Sequence, residues 1–212
     1  MTSVVDRIEA PPAADHPVTP PRPEGNPGLI GLPLIIPGAI GLGATNTGLV
    51  SASAAAIPVL VSATAIGLLV TTIWSAALRQ NVNATIYGTF FGFYGSYGVL
   101  ALGFVHDWFG IAEADVRQTT ALWLASWLLS IGLLTALTIR LPWLYPAVLA
   151  IVDLALVLLL IGNQTGSTAA NQAAGWLIFA FAGIVVYFYF AALWEELGGA
   201  ALPLGRVLVG SA

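Results

Sequence analysis

Asp153 is the residue whose chemistry is hardest to reconcile with its neighbours, because it stands alone in the apolar run over residues 149–156. A carboxylate at the centre of a membrane-spanning helix costs about 2.5–3.5 kcal/mol on insertion scales, so it must face the bundle interior or water, or hold a proton. Such groups mark ion paths and proton relays, which makes Asp153 a proton-relay candidate; a hydrogen bond to a neighbouring helix is the structural alternative. A second constellation runs from Thr85 to Gly98. Tyr87 and Tyr94 are seven residues apart and share one side of a helix, where their hydroxyls need partners or water. Thr85 and Thr89 add two more hydroxyls. Gly88, Gly92 and Gly95 make a small-residue face of the kind that lets helices pack closely.

Two further segments carry polar chemistry without charge. In Gly25-Asn26-Pro27-Gly28, followed by Pro33 and Pro37-Gly38, proline removes backbone donors, so the first span is expected to be short, kinked or broken. Its start at Asn26 and Pro27 would aim backbone N–H groups and a positive dipole end at a carboxylate; an ordinary helix capped by Asn26 is the equal alternative. The polar stretch over residues 162–167 places Asn163 either in a plain loop or at a solute vestibule.

What the chain lacks narrows the chemistry further. It has no cysteine, and His16 and His106 are not spaced as metal ligands. No nucleophile, base and orienting group stand together, so no enzyme, metal or cofactor is expected. Six arginines, no lysine and a net charge of −4 give no basic footprint for nucleic acid. Apolar residues make up 58% and charged residues 8%, against roughly 45–50% and 25% in soluble domains. The chain reads as an integral membrane protein.

The charges then divide it. Residues 25–78 and 141–194 are long and nearly uncharged, residues 80–106 and 118–139 shorter; at roughly 20 residues per crossing, six spans are expected over 28–46, 53–78, 84–106, 118–139, 143–162 and 173–194. Arg7, Arg22, Arg79, Arg140 and Arg206 then share one side and only Arg117 faces the other, which places both termini in the cytoplasm of a cell membrane. The expected organisation is a disordered Pro-rich tail over 1–25, a six-helix membrane domain over 26–205 and a short tail over 206–212. The fold class is all-α, six transmembrane helices around a narrow pore with a Pro/Gly-kinked first helix.

These segments resemble the acetate uptake transporter family, the YaaH-type succinate–acetate permeases. Asn26-Pro27-Gly28-Leu29-Ile30-Gly31-Leu32 stands where the family has N-P-A-P-L-G-L. Thr85, Thr89, Phe91, Tyr94 and Gly95 match its third-span pattern, and Leu158 to Asn163 its L-L-A-I-G-N. Ala174-Gly175-Trp176, Tyr187 and the ending from Glu195 to Gly205 follow its sixth span in order. The resemblance implies a homohexamer of six-helix protomers, each with its own pore, carrying acetate or related short monocarboxylates, often with a proton. It also implies a hydrophobic constriction from the first, third and fifth spans, here Ile35, Tyr94 and Val152. An acidic residue typical of the sixth span falls at Ala191, while Asp153 adjoins the constriction. Two rival readings stay open: a passive channel for a small neutral solute such as water, urea or ammonia, and a non-transporting membrane scaffold assembled through glycine-rich faces.

Overall fold

A computed structural model of the chain describes residues 25–51 and 56–209. The Pro-rich tail expected over 1–25 lies outside the described residues apart from Gly25, as do 52–55 at the expected start of the second span and 210–212 at the chain's end. Six helices follow in order: α1 (Gly28–Thr47), α2 (Ile57–Ala77), α3 (Asn81–Val105), α4 (Val116–Leu137), α5 (Leu144–Thr165) and α6 (Thr168–Glu196). Each of the six spans so formed is long and apolar enough to cross a bilayer, the fourth including short 3-10 turns at Glu113–Asp115 and Thr138–Arg140. Large side chains such as Leu122, Leu129 and Leu133 point outward from α4, as they do where hydrocarbon replaces water around the bundle.

The largest departure from the expected boundaries is between the fifth and sixth spans. Residues 162–167 read as a polar loop, yet Asn163 and Thr165 belong to the last turn of α5. The Thr165 hydroxyl donates back to the Ile161 carbonyl, so a polar residue prolongs the helix by satisfying it locally. Gly166, at φ +70°, ends α5 in the left-handed region, and the Ser167 hydroxyl caps α6 by accepting from the Ala170 N–H at 3.2 Å. Two residues thus reverse the chain.

The helices form a ring in chain order. Each packs against its sequence neighbours, and α6 closes the ring on α1. The first span, expected to be short, kinked or broken, is neither short nor broken: α1 is an uninterrupted helix of 20 residues with Pro33 and Pro37 inside it. Beside Pro37, the Gly38 N–H donates to the Thr64 hydroxyl of α2 at 3.1 Å, tying the proline-weakened turn to a fully buried threonine. Close backbone approach is required here: a methyl group at Gly38 would lie 2.8 Å from the Tyr94 ring, and one at Gly31 2.8 Å from the Tyr87 ring. Glycine in α1 therefore seats the α3 tyrosines.

The α3 glycines part company. Gly88 and Gly95 face Thr72 and Ala65 of α2, whereas Gly92 faces the Trp127 ring of α4. The α2–α3 seam is the closest in the bundle and the α3–α4 seam sparse in backbone approach. Large rings fill the latter: Phe93 packs on Trp123 and Trp127 at centroid distances of 5.1 and 5.8 Å. The Ser96 hydroxyl oxygen accepts both indole N–H groups, at 2.9 and 3.1 Å. Ser96→Ala strands two indole donors and is expected to cost about 1–3 kcal/mol, read as earlier thermal unfolding in detergent, with Ser96→Thr close to the parent.

Candidate functional site

Two cavities lie end to end inside the ring. The larger, about 400 Å³, opens among the C-terminal ends of α1, α3 and α5 and the start of α6. The smaller, about 240 Å³, opens at the opposite face, beside Asn26 and Leu204. Only Phe90 and Phe181 line both. Their rings stack with centroids 5.9 Å apart and planes 17° from parallel, and both side chains are buried. A two-ring septum therefore separates the chambers.

Sequence reasoning did not single out either phenylalanine. Phe90 sits inside the Tyr- and Gly-rich stretch, where hydroxyls drew the reading, and Phe181 lies in an apolar run with no polar signal at all. Only the reach of the two rings, from α3 and α6, across the ring's interior pairs them.

The residues expected at the constriction divide between the two chambers. Ile35 lines the smaller one, and Tyr94 and Val152 line the larger. Tyr94 packs edge-on against Phe93 at 5.2 Å and is 2% exposed. Among the expected solute contacts, Asn26 and Tyr87 line the smaller chamber and Asn163 the larger. The structure does not bring Thr85 or Thr89 to either chamber. Their hydroxyls donate to the helical carbonyls of Asn81 and Thr85, both at 2.9 Å, which removes the need for another partner.

Pro27 is fully buried, and the start of α1 is already satisfied from within. Gly28 N–H donates to the Asn26 side-chain oxygen at 3.1 Å. The N–H groups of Leu29, Ile30 and Gly31 donate to the carbonyls of Asn26 and Pro27. The four donors that a helix start normally leaves free thus have partners, and the capped reading of Asn26 describes the local geometry.

Nor is Asp153 brought to a chamber. Its side chain lies at the α4–α5 seam, where one carboxylate oxygen accepts from the Thr135 hydroxyl at 2.7 Å and the other is buried without a hydrogen bond. Val152 faces the larger chamber, and one residue further along the helix turns the side chain by about 100°, toward α4. Register alone could not separate these neighbours.

The chamber walls are poor in charge. Glu195 is the one charged residue among those lining the two cavities. Carboxamides of Asn46, Asn163 and Asn171 supply polarity in the larger chamber, with Asn163 donating to the Arg117 carbonyl at 3.0 Å. Among the described residues no group of three His, Asp or Glu side chains could hold a metal ion.

Six crossing helices around a divided interior cavity define a multi-pass α-helical membrane protein with an axial path. The profile of the GPR1/FUN34/yaaH family matches residues 12–199, and the chain belongs to that family. Its fold is that of the solved structure of the bacterial acetate channel SatP, with a TM-score of 0.76 over 86% of this chain and 100% of that one at 20% identity. Comparison with curated proteins yields no match.

Phe181→Leu shortens one half of the septum and keeps it apolar. It is expected to raise osmotic water flux through reconstituted protein severalfold in stopped-flow light scattering; unchanged flux would put the barrier elsewhere, at Ile35, Tyr94 or Val152.

Proposed function

We propose that the protein carries acetate or a closely related short monocarboxylate across the membrane, and that the solute passes the septum as the neutral acid. The observation that carries this reading is the wall chemistry: two apolar chambers meet at stacked phenylalanines, and neither chamber is lined by an arginine or lysine. Family membership and the likeness to an acetate channel supply the substrate class.

Desolvating a carboxylate without a charged or hydrogen-bonding partner costs far more than desolvating the neutral acid. The α1 start, whose N–H groups are already engaged, offers no ready compensation, and Glu195 at the smaller chamber repels an anion. A carboxylic acid that arrives as the anion therefore takes up a proton in water or at a chamber mouth, crosses, and releases the proton on the far side. Net movement of one acid carries one proton without a relay group in the septum. Arg79, Arg140 and Arg206 lie on the face of the smaller chamber and Arg117 on the other, which makes the former the cytoplasmic face by the positive-inside rule. Asparagine carboxamides of the larger chamber then meet solute from outside. The family resemblance carries six such protomers per assembly, each with its own path.

In this scheme Asp153 serves the α4–α5 seam through Thr135, and the proton-relay role assigned on sequence passes to the solute itself.

The test is initial acetate-driven acidification in proteoliposomes, after subtraction of protein-free vesicles. Above the acid's pKa, between about 4 and 5 for aliphatic carboxylic acids, the neutral fraction grows about tenfold for each pH unit of acidification, and protein-dependent uptake at fixed total acetate is expected to rise in step. A rate that falls on acidification would show that the anion is carried. Urea flux equal to that of acetate and independent of pH would make the protein a channel for neutral solutes.

Asp153→Asn keeps an oxygen for the Thr135 hydroxyl. It is expected to leave the pH slope of uptake unchanged; loss of the slope would return Asp153 to the role of proton relay.

A further inference from the structure

Beyond α6 the chain does not leave the bundle. Gly198, at φ +87°, ends the helix in the left-handed region, and the extended segment that follows turns back across the smaller chamber. Successive side chains of an extended chain point to opposite sides, and Leu202 and Leu204 both point in and line the cavity. Ala201, Pro203 and Gly205, between and beside them, are exposed.

The segment is fastened at two points. The Tyr187 hydroxyl donates to the Pro203 carbonyl at 2.9 Å. Further on, Trp143 N–H donates to the Arg206 carbonyl at 3.0 Å, and Pro142 pairs with Val207 in an isolated antiparallel bridge. Gly205, at φ +89°, lies where any side chain would collide with the Trp143 ring. The start of a free tail expected at Arg206 therefore falls inside a strap that runs from α6 to the α4–α5 connection.

We infer that residues 199–207 form a releasable strap across the mouth of the smaller chamber, narrowing it with apolar side chains and gating it in series with the phenylalanine septum. The fastenings suit release. One is a single side-chain hydrogen bond, and the other an isolated bridge, far short of the three or more strands that stability on their own requires. Leu202 and Leu204 can be withdrawn together because one short segment carries both. Between strap and septum lies an antechamber of about 240 Å³.

The inference rests on the transport reading, and its tests use the chain's freedom from cysteine, so that only introduced thiols react. Paired residues across an antiparallel bridge have Cβ atoms about 4.5–5.5 Å apart, within reach of a short bis-methanethiosulfonate cross-linker. In the double variant Pro142→Cys and Val207→Cys, cross-linking is expected to reduce acetate uptake to that of protein-free liposomes, with recovery on addition of dithiothreitol. Equal uptake with the strap locked and free would make it a fixed wall and overturn the inference. The second arm needs no transported solute. Ala192→Cys lines the smaller chamber, and adding Tyr187→Phe is expected to speed its labelling by a water-soluble maleimide about fivefold, the ratio set by losing one ordinary hydrogen bond. Labelling at the same rate with and without the Tyr187 hydroxyl also overturns the inference. If the parent moves no acetate, the transport reading fails while the labelling arm still decides the strap.

Discussion

In hydrocarbon a backbone amide without a partner costs several kcal/mol, and that constraint is most acute in α1. Proline at 33 and 37 removes two helical donors from a helix that nonetheless runs unbroken from Gly28 to Thr47. Beside Pro37 the helix is tied to its neighbour, the Gly38 N–H donating to the Thr64 hydroxyl of α2. That bond in turn requires α1 and α2 to lie close, which glycine permits, and the same bare backbone receives the Tyr87 and Tyr94 rings of α3. The position of α3 relative to α1 fixes where Phe90 meets Phe181. The close approach that glycine allows around the proline-bearing helix thus carries through helix packing to the centre of the path.

The ring's seams use different means because the helices differ in side-chain size. The α2–α3 seam is drawn tight by small residues, while α3 and α4 are kept apart by Trp123, Trp127 and Phe93, with Ser96 satisfying both indoles. Without that shared acceptor, two polar N–H groups would be left in an apolar wall. The wide seam is what lets α4 contribute Trp123 and Leu124 to the larger chamber, giving it more volume than its partner.

The proposed function rests on what the path omits as much as on what lines it. Polar groups gather at the mouths, with Asn46, Asn163 and Asn171 in one chamber and Asn26, Asn83 and Glu195 in the other. The middle is aromatic and aliphatic. In the transport reading proposed above, a weak acid suits such a path, since it can be captured as a soluble anion in water and cross as an uncharged molecule. Asp153, the residue that first suggested proton chemistry, sits at a helix seam with Thr135 instead.

Six helices, their approximate limits and their alternation across the bilayer were legible in the sequence because the cost of burying charge leaves so few places for sixteen charged residues. Family membership was legible because motifs such as Asn26-Pro27 and Ala174-Gly175-Trp176 keep their order along the chain. The partners of polar groups were not legible: Thr85 and Thr89 bond their own helix, and Thr165 extends α5 rather than opening a loop. Which side of α5 faces the path, which aromatic rings meet across it, and where the chain beyond α6 comes to rest were decided only by the tertiary structure. Hydrophobicity along a chain reports depth in the membrane, whereas the direction a side chain takes around a uniformly apolar helix depends on its neighbours, and those are set by packing between distant segments.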